Sequence, residues 1–184
     1  MKKLAGLVLI VLACSVGLLA WGDDVVTFSA KLRGLNEVPP VNTAATGSFT
    51  ATIQGNGSIT FTESYKNLSA NPTFSHIHFG PSKVAGGVMI FLCGGGGQPA
   101  CPAATSATYT GSIVPANVTG PTAQGVTVGD LVSALRLVRQ GSGYVNIHSS
   151  NFPSGEIRGQ VSVHHGDDDR DDRDDHDRDR DDKD

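Results

Sequence analysis

Two histidines at i and i+2, His76 and His78, stand in the stretch from Thr73 to Gly80, whose other residues read as a buried strand. Side chains on a strand alternate between faces, so the two imidazoles share one face while Ser75, Ile77 and Phe79 take the other. Two neutral imidazoles on one face are half of a metal site. Tyr144 to His148 offers the complement, because Val145 and Ile147 alternate there with Asn146 and His148. If the two strands are neighbours, His76, His78 and His148 converge on a three-histidine mononuclear site, and imidazole donors suit copper or zinc. The competing reading is structural: each ring hydrogen-bonds a loop carbonyl on a half-exposed strand and no metal is held. Ser149 and Ser150 beside His148 suggest a nucleophile with its base, but no nucleophile-elbow motif surrounds them.

These residues must be positioned by a sheet. Val26 to Leu32 alternates apolar and polar residues, as a half-buried strand should, and Pro39-Pro40 ends the pattern by removing ladder donors. Ser48 to Gln54 and Ser58 to Tyr65, joined by Gly55-Asn56-Gly57, read as a hairpin that sets Phe49, Ala51 and Ile53 against Ile59 and Phe61. Further strands are expected over the His76 segment, Val88 to Leu92, Thr105 to Val114, Tyr144 to Ser149 and Glu156 to Val163. Asp130 to Gln140 is the one helical pattern. Leu131, Ala134, Leu135 and Val138 form its stripe, Asp130 caps its start, and Gly141 stands where a left-handed C-terminal cap belongs. The fold class is therefore all-β, an antiparallel β-sandwich or Greek-key barrel (superoxide-dismutase-like or immunoglobulin-like) with one short helix.

Composition bounds the compartment. Lys2 and Lys3 precede an apolar run from Leu4 to Ala20, which reads as a signal peptide over 1–22 rather than a membrane span. A rival processing site at Val11-Leu12-Ala13-Cys14 would make Cys14 a lipid anchor. Either route leaves Cys93 and Cys101 as an even pair around a glycine-rich loop, and a disulfide is the expected state in an oxidising compartment. The expected location is secreted, periplasmic or on the cell envelope. The body, 23–163, carries seven basic and six acidic residues, so it has no basic stripe to hold nucleic acid. The stretch 164–184 carries twelve Asp against four Arg and one Lys with no apolar residue; it reads as a disordered tail. Weak binding of hard cations by its carboxylates is a further reading, without the glycine and glutamate placement of an EF-hand.

Three motifs together resemble the chordin-type (CHRD) domain. Phe28 to Val41, with its Leu35-Asn36-Glu37-Val38-Pro39-Pro40 core, resembles the opening motif, and Ser75 to Gly80 the central one. Gly143 to Ser149 with Gly155 to Val161 resembles the closing pair. The resemblance implies an extracytoplasmic all-β binding or structural module, whose partner is an unnamed protein or envelope ligand. A looser similarity links the order His76-x-His78, His148, Arg158 to copper,zinc superoxide dismutases, which implies a copper-dependent redox enzyme as the rival class. No histidine lies between His78 and His148, so the bridging and zinc-loop ligands of those enzymes have no counterpart. Arg158 would then hold an anion, or pair with a carboxylate such as Glu37 or Glu156; Glu37 itself reads as a turn-fixing acceptor.

Overall fold

The computed structural model describes residues 25–165. The strands are β1 (Val26–Arg33), β2 (Thr46–Ile53), β3 (Ile59–Lys66), β4 (Pro72–Phe79), β5 (Gly87–Cys93) and β6 (Ala107–Ile113). After helix α1 (Leu131–Arg139) come β7 (Gly143–Ser149), β8 (Ile157–Gln160) and β9 (Ser162–His165). In β1, Phe28, Ala30 and Leu32 are buried while Lys31 and Arg33 are exposed, as period two requires. The β2–β3 hairpin has the expected register, Ile53 opposite Ile59 and Ala51 opposite Phe61. Its turn closes with Asn56 Oδ1 accepting from the Ser58 amide at 2.9 Å, a side-chain mimic of a backbone turn.

The strands form one antiparallel sheet in the order β5-β4-β7-β8-β1-β2-β3-β6, with β9 also beside β1. From β3 the chain crosses to the far end of the sheet for β4 and β5, and β6 returns beside β3, which is a Greek-key excursion. The two ends then curl toward each other. Ile90 of β5 bridges Val118, and Gln98 after β5 donates to the Ser112 carbonyl of β6 at 2.8 Å. The sheet is thus a nearly closed barrel rather than two separate sheets face to face. Leu32, Phe49, Phe61, Ile77, Ile90, Ile147 and Ile157 fill its interior, each worth about 1.5–3 kcal/mol of burial. Phe61 lies across Gly111 on β6, where a Cβ would come within 2.6 Å of the ring.

Helix α1 packs on β7 through Ala134 and Val138. Asp130 accepts from the Ser133 amide at 2.9 Å, and Gly141 takes φ 75° just past the helix end, so both expected caps are in place. Cys93 and Cys101 form a disulfide that closes the glycine loop between β5 and β6. The stretch expected as one strand, Glu156 to Val163, is two. Its first half lies between β7 and β1, pairing with β7 up to Gln160, and Ser162 onward continues beside β1 alone. Strand β9 runs to His165, two residues past the boundary expected at 163. The signal over 1–22, Cys14 and the tail from 166 lie outside the described residues. Among the described residues no helix is long and apolar enough to cross a membrane.

Candidate metal centre

Strands β4 and β7 are neighbours, and their register decides where the histidines go. Phe74 lies opposite His148, His76 opposite Asn146, and His78 opposite Tyr144. Ile77, Val145 and Ile147 point into the core, so the histidines stand on the other face of the sheet, outside the barrel interior. His148 is one diagonal step from His76. All three are buried on this outer face beside the loops that follow β4 and β7. Irregular pairing of β4 with β5 at Ser75/His76 and Ile77/His78 re-aims the strand there, as bulges do.

The ligand-capable atoms converge within 4.8 Å of one another. His76 Nδ1 lies 3.2 Å from His148 Nε2, and His78 Nε2 lies 3.4 Å from the same atom. Two tautomers follow from the outer partners. His78 Nδ1 is 3.0 Å from the Gly86 carbonyl and His148 Nδ1 is 3.0 Å from the Pro153 carbonyl. A carbonyl oxygen only accepts, so both Nδ1 atoms carry the proton and both Nε2 atoms present lone pairs to the centre. His76 has no such outer acceptor: its Nε2 is buried without a partner, and its ring meets Phe91 edge-on at 4.3 Å between centroids. Whichever nitrogen of His76 holds the proton, one buried polar atom stays unpaired, at a cost of about 1–3 kcal/mol.

Burial holds the rings neutral. It lowers His76 to about 3, helped by repulsion from His148 and His78, and lowers His78 to about 4 against the opposing pull of the Gly86 carbonyl. His148 is lowered by burial too. Three neutral imidazoles, two of them fixed in tautomer with their lone pairs inward, fit a tetrahedral transition metal that takes three nitrogens and leaves a fourth position open. Carbonyl partners of the kind expected for a purely structural role are also present; they bind the far side of two rings and do not account for the inward lone pairs.

The remaining expected residues form a second layer beside the histidines. Tyr144 stacks on His78 with ring centroids 4.8 Å apart and planes 6° from parallel, and the Arg158 guanidinium sits 3.4 Å from the Tyr144 centroid. Arg158 Nη2 donates to the Pro81 and Val84 carbonyls at 3.1 and 2.9 Å. Its hydrogen bonds thus go to backbone carbonyls rather than to a carboxylate. Glu37 accepts from Asn146 Nδ2 at 3.0 Å, and burial pushes it up to about 7 although Asn146 and Arg158 both oppose. Gly155, at φ 128°, lies against this pair; a Cβ there would sit 2.5 Å from Asn146 Oδ1 and 2.9 Å from Glu37 Oε1.

Two buried carboxylates were not singled out from sequence. Glu156, considered there only as a partner for Arg158, accepts instead from Thr43 Oγ1 at 2.9 Å, Ser69 N at 2.8 Å, Ser69 Oγ at 3.0 Å and Ser149 Oγ at 2.5 Å. It ties the loops after β1 and β3 to the end of β7. Ser149 is thereby engaged by a carboxylate rather than by His148, and the Ser149–His148 nucleophile idea loses its geometry. Glu63 is fully buried inside the barrel, where Ser75 Oγ donates to it at 2.9 Å and Tyr109 donates to its other oxygen. Burial raises Glu63 to about 7. Period two did signal it: Ile59, Phe61, Glu63 and Tyr65 share a face.

A family model described as the CHRD domain matches residues 28–161, the greater part of the chain and every residue of the site just described. No curated protein and no solved structure matches it.

Proposed function

The chain belongs to the CHRD-domain family, and from that premise we propose that it is an extracytoplasmic binding module whose outer sheet face holds one transition-metal ion, copper or zinc, on His76, His78 and His148. The observation that carries this reading is the convergence of one ring nitrogen each from His76, His78 and His148 within 4.8 Å. A cation there takes up lone pairs that otherwise face one another in a buried space. The leader-like Lys2-Lys3 and apolar run, and the disulfide, support an oxidising compartment outside the cytoplasm. The test is a titration of the metal-stripped full chain with zinc and, under reducing conditions, with copper. One equivalent should bind, and His148→Ala should weaken binding at least a hundredfold while the far-ultraviolet circular dichroism is unchanged.

Copper-dependent redox chemistry is the second reading, favoured by the fourth coordination position that three imidazoles leave open. In that case the metal supplies the electron transfer. The protein holds His78 and His148 in one tautomer through Gly86 and Pro153 and keeps all three rings neutral by burial. Superoxide consumption by the copper-loaded chain, absent in His148→Ala, is the outcome expected of an enzyme. A purely binding module consumes none while still holding its metal.

A further inference from the structure

We propose that the cleft between the loop after β1 and the loop after β4 is a binding site for a small organic carboxylate, with the Arg158 guanidinium at its base. The cleft has a volume of about 430 Å³ and is lined by Leu35, Glu37, Val38, Pro40, Lys83 and Arg158, among others. That size lies within the range of small-molecule sites.

Arg158 is only 3% exposed. A buried guanidinium needs its donors matched and its charge compensated. Both hydrogens of Nη2 are matched by the Pro81 and Val84 carbonyls, and one face is covered by Tyr144. Among the described residues no hydrogen bond engages Nε or Nη1, and Arg158 lines the cleft. No carboxylate closes an ion pair on Arg158 among the described residues. Glu37 acts on it only through space, and its own tendency to stay protonated near neutrality leaves the charge less compensated still.

The other walls narrow the ligand class. Lys83, held in the left-handed region at φ 64°, a conformation uncommon for a non-glycine residue, adds a second cation. Leu35 and Val38, 74% and 40% exposed, stand with Pro40 as an apolar wall. With both Nη2 hydrogens engaged by the Pro81 and Val84 carbonyls, the Nε–H and Nη1–H groups left over each offer a carboxylate oxygen a single contact, Lys83 offers a second cation, and the apolar wall matches a carbon body behind it. An inorganic anion would satisfy the cations and leave that wall wet. The inference does not rest on metal binding: it uses none of the three histidines.

The test is two-dimensional NMR of the full chain, stripped of metal by chelator, titrated with sodium benzoate, benzyl alcohol and inorganic phosphate. Benzoate should shift the amides of Asn36, Ser82, Lys83 and Gln160 saturably, with benzyl alcohol and phosphate each at least tenfold weaker. Lys83→Gln should weaken benzoate about threefold and Leu35→Asp about tenfold; both residues line the open cleft, so both variants should fold. Arg158→Gln should abolish the shifts where it folds. The proposal is overturned if benzoate gives no saturable shift at these amides, if benzyl alcohol or phosphate binds as well, or if Lys83→Gln and Leu35→Asp both leave benzoate binding unchanged.

Discussion

At the scale of single residues, the molecule uses carboxylates in two opposite ways. Glu156 sits in a nest of four donors and acts as a strap across three segments. Removing it leaves those donors without an acceptor, so Glu156→Ala should lower unfolding stability by about 3–5 kcal/mol, read from the denaturant midpoint. Glu63 is the reverse case, a carboxyl in the barrel interior with no cation beside it. Its folded value, about 7, exceeds its ordinary value of 4.5. The stabilisation of its neutral form is therefore complete below about 4.5 and lost as pH rises toward 7, an effect on the order of 3 kcal/mol. The histidines run the other way. Lowered to about 3 and 4, His76 and His78 take stability away as pH falls below 6.5 toward those values. The difference between the wild type and Glu63→Gln isolates the Glu63 contribution: stability of the variant relative to wild type should rise between pH 4.5 and 7 and stay flat above it, as followed by urea unfolding.

At the scale of elements, the disulfide closes a short loop whose glycines would otherwise be free to wander. For a loop of this length a cross-link is worth about 2–3 kcal/mol, so the paired Cys93→Ser and Cys101→Ser variant should lose that much in the same unfolding assay. The elements themselves were largely legible in the sequence. Period two located β1 and the β2–β3 hairpin, and the stripe from Leu131 to Val138 with its Asp130 and Gly141 caps located α1, because each is a local pattern. The division of Glu156 to Val163 was not legible. Val161 is buried, while the end of pairing with β7 at Gln160, with β1 a partner on both sides of that point, is a fact of tertiary pairing that leaves no mark on local composition. The same limit explains the site. Alternation placed His76 with His78 on one face and His148 on a face with Asn146, but that the two faces meet depends on the β4–β7 register. His76 illustrates the limit again: two rings have outer carbonyls, and the third has an aromatic edge instead.

At the scale of the whole molecule, the curled sheet puts its chemistry outside the hydrophobic interior, on a face roofed by loops from β1, β4 and β7. Strand β9 adds a ladder partner to the first half of β1. A chain ending at Val161 should therefore melt several degrees below one ending at His165, in a thermal scan of the two side by side. The proposed role of the roofed face is to hold one metal ion on three imidazoles. X-ray absorption of the full chain loaded with one equivalent of zinc tests it most directly. Scattering from three histidine rings is expected, with Zn–N distances of about 2.0–2.1 Å. A shell made only of oxygen donors, as the carboxylates beyond His165 would give, or fewer than three imidazoles, would contradict it.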